Sequence, residues 1–354
     1  MPAEPPPTAV IDCDVHAVVA DASVLEPYLD AHWREVLATT QFSGPTDQAH
    51  PPNLATSLGD YDPVDGDAPG ATVETVRRQV LDPLGATHAI VACDYAVDSI
   101  RNPDAAAAMA AAANDWLVAE WLDRDPRLRA AIVLPTGQPA MAAAEIERVA
   151  GHPGFVAAHL PVRSAMPYGN RQWWPLMEAI SAHDLVAHVH YGGAPGLPPT
   201  ASGWPTSWLE DHVDMASAFQ SQLTSLVAEG TFDRFPTLRV TLLEAGFAWL
   251  PGFLWRFDKG WRGLRREVPW TTRAPSAYVR EHVRFGLQPV DGPPDPAAML
   301  RVIDQLGSDE LLMFSTDYPH RHVPTGLDAL PAGLPEGLAE KILSGNARAH
   351  YRLP

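Results

Sequence analysis

The chain has 354 residues, 46% of them hydrophobic and 19% charged, a composition that excludes a disordered or coiled-coil polymer and fits a globular protein with a sizeable core. Its 25 Lys and Arg against 43 Asp and Glu give a net charge of −18, so nucleic acid and anionic membrane surfaces are excluded as partners by repulsion. The two cysteines, Cys13 and Cys93, lie far apart in apolar runs, which excludes a disulfide framework and a thiolate zinc site and favours a reducing cytoplasm.

Residues 1–8 are rich in proline, with neither a basic start nor a long apolar stretch, so they read as a disordered or extended tail and not as a signal peptide. From there, apolar runs of strand length alternate with helical patterns along the whole chain. Strands are predicted over 9–14, 87–93, 128–134, 155–160, 185–190, 238–244, 283–285 and 311–315. The clearest helices fall between them, over 71–84, 103–122, 140–150, 171–182, 212–228 and 246–266. Strand and helix in regular order imply parallel strands joined by crossover helices, because parallel neighbours cannot be linked by a tight turn. Eight such units predict an α/β fold of one domain over 1–354, a distorted (β/α)8 TIM barrel. Three Pro- and Gly-rich connections, 42–70, 192–211 and 288–296, each follow a strand, which puts them as long βα loops over the C-terminal mouth.

Residues able to carry chemistry cluster at the predicted strand ends. Strand geometry sends Asp14 and His16 of the first strand to one face, as ligands or as a hydrogen-bonded pair. His188 and His190 repeat the pattern on the fifth strand, and imidazole nitrogen is a preferred ligand of divalent metals, although a core histidine satisfied by backbone is the other reading. Asp317 follows the apolar eighth strand, where a carboxylate is costly to bury unless paired with a cation; the alternative is a helix N-cap. Glu244 ends the sixth strand and reads equally as general base, ligand or N-cap.

These segments resemble the ACMSD-like branch of the amidohydrolase superfamily, the amidohydrolase-related or amidohydrolase 2 family, over most of the chain. The resemblance rests on residues 11–16 (IDCDVH), 190–193 (HYGG), 315–320 (STDYPH) and 342–348 (ILSGNAR). By position it implies one metal ion held by Asp14, His16, His190 and Asp317, with His188 as an alternative to His190 and a further catalytic candidate. It also implies a homodimer. Many family decarboxylases and hydrolases carry a catalytic histidine on strand six, where this chain has Glu244.

Binuclear members of the wider superfamily bridge their metals with a carboxylated lysine on strand four. Only Lys259 and Lys341 occur here, neither near that strand, so a mononuclear site is expected. Two imidazoles and two carboxylates suit Zn2+ first and Mn2+ next. An open position on such an ion lowers the pKa of a bound water toward about 7, and Asp317 or Glu244 would move its proton. That predicts hydrolysis of an amide, lactone or related ester in a small, aromatic-leaning substrate. The alternatives are non-oxidative decarboxylation of an aromatic or enoic acid, and an inactive metal-bearing barrel that only binds. Arg163 and Arg321, with His320, would meet an anionic substrate, and Tyr191 and Phe247 would line its apolar part.

Overall fold

The computed structural model describes residues 9–45, 51, 61–193, 200–322 and 324–354. Eight strands form one parallel sheet in sequence order: β1 Val10–His16, β2 Ala86–Ala92, β3 Leu128–Ile132, β4 Phe155–Arg163, β5 Val186–Gly193, β6 Arg239–Leu242, β7 Val283–Gly286 and β8 Leu312–Met313. Segment 311–318 closes the ring onto β1: the Cys13 N–H donates to the Phe314 carbonyl at 3.0 Å, His16 N–H to Tyr318 at 2.7 Å, and Asp317 N–H to Asp14 at 3.1 Å. This closure sets Asp317 beside Asp14. All eight predicted strands are present, and the barrel follows from their order.

The two ends of the barrel differ in chemistry. Ile11, Cys13, Ile90, Ala131, Ala157, Val186 and Met313 pack with Ala347, Tyr351 and Leu353, so the chain's last residues plug the strands' N-terminal end. Alanines on β3 and β4 leave the room that the Tyr351 ring fills. The tyrosine hydroxyl donates to Thr241 Oγ1 at 3.0 Å and also meets His188 Nε2. The polar residues collect at the opposite, C-terminal end.

Several boundaries depart from the predicted ones for local reasons. The helix expected over 212–228 runs Trp208–Ala228, because Ser207 and Glu210 form a reciprocal capping box ahead of it. The helix expected from 246 starts later, at Leu250. Gly246 is left-handed there (φ +61°), and Asp291 accepts from the Phe247 and Ala248 N–H groups instead. The helix over 71–84 widens to π turns at Arg77–Leu81, and that over 103–122 does so at Val118–Leu122. Among the described residues no helix is long and apolar enough to cross a membrane. The expected tail 1–8 lies outside the described residues, as do 46–50 and 52–60 of the first long loop and 194–199 of the second.

Candidate active site

Strict alternation does not run through β1. The register with β2 shifts between Asp12 and Val15, so Asp12 turns aside while Asp14 and His16 face one another. Asp12 accepts from the Thr316 N–H at 3.0 Å and its Oγ1 at 2.6 Å, which ties the residue before Asp317 to β1. Asp14 Oδ1 then lies 3.7 Å from His16 Nε2 and 3.4 Å from His190 Nε2. Asp317 Oδ1 is 3.0 Å from His16 Nε2, and Glu244 Oε2 is 3.9 Å from His190 Nδ1. Residues from β1, β5 and the segments after β6 and β8 thus converge on one buried cluster.

The donors left over in this cluster identify what it suits. Both oxygens of Asp14, Nε2 of His190 and Oε2 of Glu244 are buried with no hydrogen-bond partner. Burying an ionised carboxylate unpaired costs several kcal/mol, so such groups persist where a cation offsets them. His190 Nδ1 donates to the Tyr191 carbonyl at 2.8 Å, which turns Nε2 toward Asp14. Burial would lower the imidazole's pKa, but the charges of Asp14 and Glu244 raise it well above the usual value, so Nε2 faces a site that attracts positive charge. Carboxylate oxygens and imidazole lone pairs with no other partner are a donor set that fits a divalent cation.

Asp317 and Glu244 are electrostatically split. Burial alone would raise Asp317, but the His320 charge and hydrogen bonds from His16, His320 and His322 hold it well below the usual carboxylate range. His320 Nδ1 stands 3.0 Å from its Oδ1 and His322 Nε2 stands 2.6 Å from its Oδ2. Burial and then the charge of Asp317 push Glu244 up to about 7. Opposed shifts in neighbouring carboxyls mark one as the charged partner and the other as the proton carrier. Glu244 is not a helix N-cap, since the next helix begins at Leu250 with Trp249 as its cap residue.

Beside this cluster stands a pair that the sequence reading passed over. Asp94 Oδ1 is 3.3 Å from His159 Nε2, and the His159 ring centroid is 5.3 Å from that of His190. Burial would raise Asp94, yet the hydrogen bond and charge of His159 bring it to about 2. Asp94 directly follows an apolar strand, the signal that singled out Asp317, and His159 interrupts an apolar strand. Both were readable.

Other expected residues are committed elsewhere. His188 points to Tyr351 at the plugged end, because it sits one inward-facing step below His190; β4 pairs His159 with His188 and Pro161 with His190. Arg163 binds the buried Asp211 through both terminal nitrogens, at 2.7 and 3.3 Å, so its charge is neutralised inside the protein. The Tyr191 hydroxyl donates to the same carboxylate at 3.2 Å. Phe247 is fully buried in the hydrophobic core. Arg321 lies over the Tyr61 ring at 5.4 Å, while the His320 ring is 4.9 Å from that of His16.

The amidohydrolase family model matches residues 11–353. A gamma-resorcylate decarboxylase from Polaromonas sp. is 28% identical over 297 residues, covering 79% of this chain and 88% of the relative. Among solved structures, a 2,6-dihydroxybenzoate decarboxylase from Rhizobium superposes with a TM-score of 0.70 at 21% identity, covering 98% of this chain and 99% of the other. A dihydroxybenzoic acid decarboxylase from Polaromonas sp., solved with manganese and the inhibitor 2-nitroresorcinol, gives 0.67 at 21% identity, over 98% and 97% of the two chains. These likenesses share the barrel fold. The expectation of hydrolysis is overturned, since the curated relatives carry decarboxylase names and back the alternative chemistry. With its four motifs in order, its eight-stranded barrel and a family match over nearly its whole length, the chain belongs to the amidohydrolase family.

Proposed function

We propose that this protein is a metal-dependent, non-oxidative decarboxylase of a hydroxylated aromatic acid. One observation carries the reading: Glu244, a buried carboxyl raised to about 7, stands beside donors suited to a divalent cation. Family decarboxylases were expected to place an imidazole on strand six. A carboxyl that keeps its proton near neutrality can fill that place. The names of the curated relatives support the substrate class.

Asp14, His16, His190 and Asp317 would hold the cation. Mn2+ is favoured over Zn2+, because half the donors are oxygen and the Polaromonas structure carries manganese. When bound, the ion supplies Lewis acidity to the substrate's carboxylate and neighbouring hydroxyl oxygens. Glu244 Oε2 delivers its proton to the ring carbon bearing the carboxylate. The bond from that carbon to the carboxylate then breaks, CO2 leaves, the electron pair returns to the ring, and Glu244 regains a proton from water. His320 and His322, at 3.0 and 2.6 Å from Asp317, would keep it charged, and burial beside that carboxylate favours the protonated form of Glu244. His188 takes no part, being bound to Tyr351.

The test is CO2 release from 2,6-dihydroxybenzoate and related hydroxylated benzoates by Mn2+-loaded protein, with and without chelator. Chelator-sensitive release is the expected result. Fully loaded protein that releases no CO2 from any of them would refute the reading.

A further inference from the structure

β5 carries a bulge just past His190. β4 and β5 pair Pro161 with His190 and Arg163 with Gly193, so β5 has one residue more than β4 between these two pairs. The extra residue of a bulge interrupts the ladder, so the sheet holds the peptide between Tyr191 and Gly192 less firmly than its neighbours. The glycine, at φ +130°, adds little resistance of its own to rotation. Yet the Tyr191 carbonyl in that peptide accepts from His190 Nδ1 at 2.8 Å and so aims the ring.

The Tyr191 side chain supplies the missing anchor. Its hydroxyl donates to Asp211 Oδ2 at 3.2 Å, and Asp211 is 0% exposed in the first turn of the helix Trp208–Ala228. Arg163 clasps that carboxylate through Nη2 at 2.7 Å and Nη1 at 3.3 Å. Burial and then the Asp211 charge push the Tyr191 hydroxyl above its usual range, so it stays a donor. Because Arg163 is itself the partner of Gly193, the chain Tyr191–Asp211–Arg163 spans the bulge from end to end. Desolvation offsets most of the attraction in a buried ion pair, so net stability is a poor reason for this one.

We propose that Asp211, with Arg163, is a positioning residue for His190 as a metal ligand, acting through the hydroxyl and carbonyl of Tyr191. The inference rests on the cation reading of the cluster and adds a support that none of its donors provides. Partners one step removed from a metal orient its histidine ligands, and their loss lowers metal affinity about 10- to 100-fold.

The experiment is the Kd for Mn2+ of chelator-stripped protein, read from the EPR signal of free Mn2+, with the urea midpoint of the stripped protein measured beside it. Tyr191→Phe removes the hydroxyl and leaves both Asp211 oxygens on Arg163. It should raise Kd about tenfold with little change in midpoint. Asp211→Ala should raise Kd by as much and lower the midpoint, since Arg163 loses its counter-charge. Asp211→Asn loses the same charge but keeps an oxygen for the tyrosine, so its midpoint should fall while its Kd stays closer to wild type than that of Asp211→Ala. A wild-type Kd in Tyr191→Phe overturns the positioning role and leaves the cation site standing, whatever the midpoints do. Wild-type protein that binds no Mn2+ overturns the cation site and this role with it. If the Asp211 variants fail to fold, Tyr191→Phe decides alone.

Discussion

Glu244 and Asp317 share a left-handed backbone conformation, with φ of +56° and +59°. Side chains other than glycine's adopt it at a cost of about 1–2 kcal/mol. Each residue lies just past a strand, and the sharp turn brings both carboxyls onto one cluster. The strain is thus retained where the chemistry needs it. Glu244→Gln should keep bound metal yet lower turnover by roughly 10²- to 10⁴-fold, since the amide carries no transferable proton. Glu244→Gly should lose activity and leave the metal-stripped protein at least as stable as wild type, because glycine relieves the turn and removes a buried carboxyl. Unchanged turnover in the first variant, or a glycine variant that unfolds at clearly lower urea, would contradict this account.

Asp14 sets a second prediction, in which stability and binding move in opposite directions. Both its oxygens are buried without hydrogen-bond partners, and only the imidazoles of His16 and His190, at 3.7 and 3.4 Å, stand near enough to offset a charge there. Asp14→Asn removes that charge and should stabilise the stripped protein by about 1–3 kcal/mol. The same change should abolish the gain on adding Mn2+, which for a wild-type site at a hundredfold excess over Kd is about 2.7 kcal/mol. Thermal melts with and without Mn2+ would show it. A variant that is destabilised when stripped and still responds to Mn2+ would remove Asp14 from the ligand set.

The barrel was legible because each strand is a short apolar run followed by a helical pattern, and order alone then dictates parallel pairing. Asp14, His16, His190, Glu244 and Asp317 were legible because polar residues at the ends of such runs stand out. Two kinds of feature were hidden. The shift in β1 that separates Asp12 from Asp14 depends on pairing with β2, and nothing in residues 10–16 alone encodes it. The fate of Arg163 depends on Asp211, 48 positions away, which becomes its partner only once the helix after β5 packs down. His188 shows the limit of period-two reasoning, since two side chains on one face of a strand can serve opposite ends of a barrel.

Asp291 gives a prediction about positioning. Its Oδ1 accepts from Phe247 N–H at 2.9 Å and Ala248 N–H at 3.0 Å, so it holds the turn that follows Glu244. A Cβ on Gly246 would come within 2.3 Å of Asp291 Oδ2, at a φ of +61°. Asp291→Ala should cost about 0.5–2 kcal/mol, as for the loss of a helix cap. Gly246→Ala should cost more, since it adds left-handed strain to the clash. Both should lower kcat while metal content stays at the wild-type value. Loss of metal in Asp291→Ala would mean that the turn supports the ligands themselves.

The plugged end of the barrel predicts how stability depends on pH. Burial, then the charges of Arg284 and Arg239, holds His350 well below the usual histidine pKa, and burial does the same to His188. Both are neutral in the folded protein at pH values where the unfolded chain, with a histidine pKa of about 6.5, binds protons. Below that value the unfolded state therefore takes up more protons, and stability falls as pH falls. Each such histidine contributes up to about 1.4 kcal/mol per pH unit. Other groups, among them Glu244, His190 and His320, are shifted upward and act in the opposite direction, so the contribution of His350 is read as the difference between wild type and variant in urea midpoints of the metal-stripped protein at pH 5.5 and 7.5. In His350→Gln, which removes one titrating group, the loss between these two pH values should be smaller by about 1 kcal/mol. Equal losses in the two proteins would mean that His350 is protonated in the fold, with the Arg284 and Arg239 charges screened from it.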